Sequence, residues 1–265
     1  MISGHLIGPN VNTNPGLGNQ MFPMAAVCSL AWENNDKALF RHGHYQEIYM
    51  DNIFKNTLFD NNIEMVEDVY REPYFNYAPI PYCENRYIDG YFQSYKYFEK
   101  YADKIKGMFL PSTLEEVNLK LEVPIFDKCV GGIHIRRTDY LGFSHIHPEL
   151  TRENYYNKAI SILQPKVDNW LICSDDIEWA KENFSDLPNV TFSEGRADYE
   201  DMWLLSLCDH FIIANSTFSW WSAWLSNTNT DKEVICPQTW FGKTWYNDNP
   251  GQHVNDLIPT NWRKV

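Results

Sequence analysis

Short, wholly apolar runs alternate along the chain with longer stretches in which apolar positions recur every three to four residues. The runs predict strands, and the longer stretches predict helices with one buried face. Strands are predicted at HLIGP (5–9), KALFRH (37–42), inside NRYIDGYFQS (85–94), and at CVGGIHI (129–135), WLICS (170–174), VTFS (190–193), FIIAN (211–215) and EVICP (233–237). Helices are predicted at 21–33, 96–109 and 111–122, the last closed by Pro124. Further helices fall at 152–164 (capped by Thr151, ended by Pro165), 176–184, 198–209 and 217–225. The stretch 43–85 is aromatic and loop-rich, and PYFNYAPIPYC (73–83) suits no regular element. Strands that alternate with helices of this length predict an α/β protein of parallel sheets wrapped by helices. With 265 residues the chain can form two halves, divided here into 1–125 and 126–265, with the final residues free to pack back on the first half.

One stretch could imitate a membrane span. Residues 211–230 carry no formal charge, but their Asn, Ser and Thr residues group into blocks, so a strand, a polar turn and a helix fit better. The first residues do not read as a signal peptide, so none is expected.

Charge narrows the partners. The net charge is −13, which disfavours nucleic acid and gives no electrostatic pull toward an anionic membrane. An anionic ligand would need a local cluster of positive charge. The six cysteines are scattered without zinc-type spacing, and most lie in apolar runs, as expected of buried free thiols.

Ligands of a parallel sheet bind beyond the carboxyl ends of its strands. Three polar stretches fall there: HIRRTDY (134–140), SDD (174–176) and NSTFS (215–219). Arg136 and Arg137 offer guanidinium forks that match phosphate oxygens. Ser216 or Thr217 can open a helix, whose free N–H groups favour an anion. Together these predict a diphosphate seat. The plainer alternatives are an ordinary helix cap, and a salt-bridge network of the arginines with Asp139 and neighbouring acids. Of Asp175 and Asp176, one is expected to cap the next helix and the other is free to accept from the N–H edge of a guanine ring. No D-x-D triplet occurs, so arginines and a helix end would have to neutralise phosphate. The glycine-rich NPGLGNQ (14–20) is neither a Walker motif nor a complete G-x-G-x-x-G, and a tight turn explains it equally well. Trp220, Trp221 and Trp224 have helical spacing suited to a core. Tyr74, Tyr77 and Tyr82 suit sugar stacking and surface packing alike.

HIRRTDY resembles the H-x-R-R-x-D-Y signature of the α1,2-fucosyltransferases. NPGLGNQMF resembles that family's glycine-rich loop, GYFQSYKYF (90–98) its G-Y-F-Q-S segment, and CSDDIEW its S-D-D-x-x-W motif. HFIIANSTFSWWSAWL (210–225) and ICPQTWF (235–241) resemble its closing blocks. The matches run in order from residue 14 to 241; Pro15, Pro23 and Thr138 depart from the pattern.

The resemblance implies a GT-B architecture, two Rossmann-like halves facing across a cleft. It further implies transfer of fucose from GDP-β-L-fucose to the 2-hydroxyl of a galactose-terminated glycan, with inversion and without a metal. GDP-fucose is then a co-substrate, and no cofactor is expected. Arg136 and then Arg137 would stabilise the leaving diphosphate. His134 would bind phosphate or orient an arginine, and Asp139 would act as base or buttress. Donor contacts would come from Asn19, Gln20, Ser174, Asp175, Asp176, Asn215, Ser216, Thr217, Phe218 and Ser219. The acceptor would meet Tyr74, Tyr77 and Tyr82. A cytoplasmic enzyme is expected, with room for peripheral association at the inner membrane. Two other readings stand beside this one: a GT-B fucosyltransferase with a protein or different glycan acceptor, and a catalytically silent glycan-binding module.

Overall fold

The computed structural model describes residues 1–5, 16–42, 47–62, 68–227 and 231–265. The chain forms two compact units, Met1–Leu110 with Gln252–Pro259, and Pro111–Gly251 with Thr260–Val265.

The first unit contains β1 (Ile2–His5), α1 (Leu17–Glu33), β2 (Ala38–Arg41), α2 (Glu47–Met50), β3 (Val69–Arg71), β4 (Tyr87–Asp89) and α3 (Ala102–Phe109). Its four strands run parallel in the order β2-β1-β4-β3. Helix α1 is small-residue rich and buried along most of its length, as its run of Ala, Met and Val requires. Several contacts among the described residues tie the segment Gln252–Pro259 into this unit, including Tyr77 N–H donating to Asp256 Oδ2 at 3.2 Å. Gln252 Oε1 accepts from Phe75 N–H at 2.7 Å, Asp256 O accepts from Ser94 Oγ at 2.9 Å, and Lys96 pairs with the Asp256 carboxylate.

The second unit opens with α4 (Thr113–Glu122), which begins on a reciprocal Ser112–Glu115 capping box, and continues with β5 (Val130–Ile135) and α5 (Thr138–Gly142). A wide turn of π type (Arg152–Tyr156), started by Thr151, leads into α6 (Asn157–Leu163). Then follow β6 (Asn169–Ser174), α7 (Ile177–Phe184), β7 (Val190–Phe192), α8 (Asp198–Ser206), β8 (His210–Ile212), α9 (Thr217–Leu225), β9 (Val234–Cys236), α10 (Lys243–Asp248) and β10 (Arg263–Lys264). The six strands are parallel, in the order β10-β9-β8-β5-β6-β7. Every residue of β5 is buried, which explains its continuous apolar run. A Cβ on Gly131 would lie 2.6 Å from the Trp170 ring, so glycine is needed for the strand to pack there. Trp220 and Trp221 are fully buried.

Several expectations change. The division falls at 110/111 rather than 125/126, because α4 packs on α8 and Glu122 pairs with Arg196 at 3.1 Å. The first strand is Ile2–His5; of HLIGP only His5 is described. Helix α1 starts at Leu17 rather than 21, inside the glycine-rich stretch, whose residues 14 and 15 lie outside the described residues. Residues 95–101 form two 3-10 turns before α3. Strand β3 lies in the stretch read as loop, since three residues are too few to display a period of two. Residues 211–225 are a strand, a turn and a helix, and no helix among the described residues is long and apolar enough to cross a membrane. All six cysteines are free thiols; four are buried, while Cys83 is exposed and Cys129 half-buried.

Candidate functional site

Strands β8, β5 and β6 are neighbours, so the residues following them meet at one carboxyl edge. Ile135 pairs with Ser174, which sets Arg136 and Arg137 beside Asp175 and Asp176. The Asp175 carboxylate accepts from Arg137 N–H at 2.8 Å and from Thr138 N–H at 3.1 Å, and also from the Thr138 hydroxyl. It therefore ties the start of α5 to the end of β6. Asp176 caps α7, accepting from Trp179 N–H at 3.3 Å, and its second oxygen lies 3.3 Å from Arg137 Nε. The capping role expected of one of the two aspartates therefore falls to Asp176, whose side chain stays 31% exposed. Ser174 Oγ likewise accepts from Asp176 N–H at 3.0 Å.

The two arginines follow the strand end and meet different partners. Arg137 is the more enclosed. Its side chain is 11% exposed, Nη1 lies 2.9 Å from Glu149 Oε1, and its guanidinium carbon is 3.9 Å from the Trp179 ring centre. Arg136 is 33% exposed; its Nη2 lies 2.9 Å from Asp139 Oδ2 and its Nη1 3.4 Å from Asp175 Oδ2. The salt-bridge network held open by the sequence is thus present in the ligand-free protein. It ties Arg137 to Glu149 and Asp176. Asp139 is a buttress to Arg136 in this geometry.

His134 lies within β5. Its ring is buried, its Nδ1 is hydrogen-bonded to Ser219 Oγ at 2.5 Å, and its centre is 4.7 Å from that of Phe218. Ser219 Oγ also accepts from Ala214 N–H at 3.2 Å. His134 and Ser219 thus join β5 to the turn before α9. Burial, reinforced by the Arg136 charge, pushes the imidazole down to about 3, so the ring is neutral. Asn215 is equally committed: its amide donates to Pro148 O and Trp240 O, both at 3.2 Å.

What remains at the edge is Arg136 and the amino end of α9. Ser216 takes the cap position with extended backbone angles, yet its side chain makes no capping bond to the helix. Thr217 and Phe218 are half-buried. Tyr140, absent from the expected site, links the two parts. Its hydroxyl donates to Asn215 O at 3.1 Å, and its ring centre is 5.6 Å from the Arg136 guanidinium carbon. Burial raises its phenol to about 12, and the nearby Asp139 charge adds to this. His147, also unforeseen, stacks on Tyr140 with centres 4.1 Å apart; burial lowers its pKa. Tyr140 closes the HIRRTDY heptad, so its place in that motif was a usable signal; His147 carried none. A half-buried guanidinium linked through Tyr140 to a helix amino end suits an oxyanion. Among the described residues no cluster of His, Cys, Asp or Glu has metal-binding geometry.

The remaining expected residues belong to the first unit. Asn19 Oδ1 accepts from Gln93 Nε2 at 3.0 Å, and Gln20 is buried in α1. Tyr74 is exposed, and the Tyr77 ring lies 4.8 Å from that of Tyr97. Tyr82 donates to Asp36 at 3.3 Å, and Asp36 also pairs with the amino terminus just before β1. Tyr82 therefore lies at the amino ends of the strands, the edge away from ligands, which corrects its expected acceptor role.

The family model described as "Glycosyl transferase family 11" matches residues 9–262. The chain is 30% identical to an alpha-1,2-colitosyltransferase of Escherichia coli, covering 94% of this chain and 96% of the relative. It is 31% identical to the O-antigen biosynthesis glycosyltransferase WbnK of Escherichia coli, covering 85% of this chain and 92% of that protein. Among solved structures, the fucosyltransferase NodZ from Bradyrhizobium superposes with a TM-score of 0.57 at 12% identity, over 85% of this chain and 93% of that one. The fold is of GT-B type, built from two Rossmann-like units.

Proposed function

This chain belongs to glycosyl transferase family 11, and on that premise we propose that it moves L-fucose from GDP-β-L-fucose to the 2-hydroxyl of a galactose-terminated glycan. Transfer proceeds with inversion and without a metal. The observation that carries this reading is Arg136, held by Asp139 and Asp175 and joined through Tyr140 to the amino end of α9. Breaking the sugar–phosphate bond leaves its electron pair on the β-phosphate oxygen. Arg136 and the first N–H groups of α9 meet that charge, so they hold the transition state more strongly than the ground state. Asn19, at the first turn of α1, is a donor-binding residue in this reading. Tyr74 and Tyr77 are offered for the acceptor.

A second donor has specific support. One similar Escherichia coli protein is named as a colitosyltransferase, and colitose is L-fucose without its 3-hydroxyl. Labelled transfer from GDP-fucose and GDP-colitose to galactose-terminated acceptors, with a chelator present, tests both. Fucosylation at the galactose 2-hydroxyl in chelator supports the proposal. Preference for GDP-colitose replaces the donor, dependence on added metal removes the metal-free step, and absence of any transfer overturns the reading.

A further inference from the structure

In the first unit a buried carboxylate, a strained backbone and an unpaired oxygen coincide. Glu72 directly follows β3, at the carboxyl edge of that sheet. Its Oε2 accepts from Tyr91 N–H at 2.8 Å and Phe92 N–H at 3.0 Å. Its Oε1 is buried and has no hydrogen-bond partner among the described residues. Phe92 has φ of 49°, in the left-handed region that a residue with a bulky side chain rarely adopts. Ser94 N–H then returns to Phe92 O at 2.7 Å and tightens the turn. A Cβ on Gly90 would stand 2.4 Å from Glu72 Cβ, so the carboxylate's seat requires glycine there.

The turn leads to the other chemical residue of this unit. Gln93 is buried, and its Nε2 donates to Asn19 Oδ1 at 3.0 Å, on the first turn of α1. That bond couples the two amides, with Gln93 as donor and the Asn19 oxygen as acceptor. Burial pushes the Glu72 carboxyl up to about 7, against the bonds from Phe92 and Tyr91 and with added repulsion from Asp89. The charged and titratable groups facing it are Asp89, itself 3.4 Å from Arg71 Nε, together with Tyr70 and Tyr97. Ionising such a group costs the fold stability: as pH rises from the ordinary 4.5 through about 7, the unfolded chain releases a proton that the folded one holds. Strain and a misfit charge kept at one place are characteristic of a functional position.

We propose that Glu72 is a positioning residue of the transfer reaction: its carboxylate clamps the Tyr91–Phe92 turn and, through Gln93, sets the orientation of the Asn19 amide. The proposal rests on the reading in which Asn19 contacts the nucleotide sugar. A packing role alone would leave Asn19 indifferent to the charge on Glu72.

The test is nitrogen-15 NMR of the full chain between about pH 5.5 and about pH 8.5, with the Asn19 side-chain signal assigned from Asn19→Asp. The Asn19 amide and the Tyr91 and Phe92 backbone signals are expected to titrate together near pH 7, and to stay still in Glu72→Gln. Glu72→Gln is expected to melt no lower than the parent at about pH 8. Its kcat/KM for GDP-fucose falls about ten- to a hundredfold and loses the acid limb near pH 7. Gln93→Glu, which presents no amide donor to Asn19 Oδ1, shows a similar loss. An Asn19 signal that ignores Glu72, or a Glu72→Gln enzyme with parental kcat/KM and acid limb, overturns the proposal. A shared titration in a parent that transfers no fucose supports the relay and overturns the donor reading instead.

Discussion

The guanidinium carbon of Arg137 sits 3.9 Å from the centre of the Trp179 ring, while that of its neighbour Arg136 lies 5.6 Å from the Tyr140 ring centre and its side chain stays a third exposed. Two adjacent residues of one motif therefore do different work. Arg137 holds α7 and Glu149 to the end of β5, whereas Arg136 pairs with Asp139 and Asp175.

Replacing each arginine separates the two roles. Arg136→Ala is expected to lower kcat by about a hundredfold or more with little change in melting temperature. Arg137→Ala is expected to lose about 1–3 kcal/mol of stability. Arg137→Lys does not restore it, because an ammonium lacks the fork that spans Asp176 and Glu149. Melting curves beside transfer rates check this; equal losses of activity at equal stability would refute the division.

Asp175 acts through the backbone. Asp175→Ala leaves two N–H groups and the Thr138 hydroxyl without their acceptor, and a cost of about 1–3 kcal/mol is expected. The urea midpoint reads this directly. An unchanged midpoint would mean that water replaces the carboxylate at no cost.

His134 gives the fold a pH dependence. Its folded pKa is about 3 against an ordinary 6.5, so the unfolded chain binds a proton that the folded one refuses. Its contribution is present above about 6.5 and is lost as pH falls toward 3. Urea midpoints are therefore expected to drop through this window, and to drop less steeply in His134→Gln. Identical slopes in the two proteins would show that other groups carry the effect.

Glycines along the motif differ in what they tolerate. Gly131→Ala forces a methyl to within 2.6 Å of the Trp170 ring and is expected to cost about 1–3 kcal/mol. Gly142→Ala meets nothing within 4 Å and should stay within about 0.5 kcal/mol of the parent. Thermal melts of the pair provide the comparison.

The amino-acid sequence by itself determined the strand–helix alternation, both parallel sheets' class, and the strand ends that carry HIRRTDY, SDD and NSTFS. Buried strands such as β5 and β6 must be continuously apolar, and polar residues at their ends are visible in one dimension. Short elements such as β3 escaped, because three residues hold no periodicity. The tertiary structure alone decided which polar groups are spent on the fold. Asp175 reaches Arg137 and Thr138, Asn215 reaches Pro148 and Trp240, and His134 reaches Ser219, each across dozens of residues of sequence. A hydrogen bond forms where two groups meet in space, and the chain's order does not record that meeting. For the same reason Glu72, one of several acids in a stretch that reads as loop, is recognisable only once Tyr91 and Phe92 are seen to donate to it.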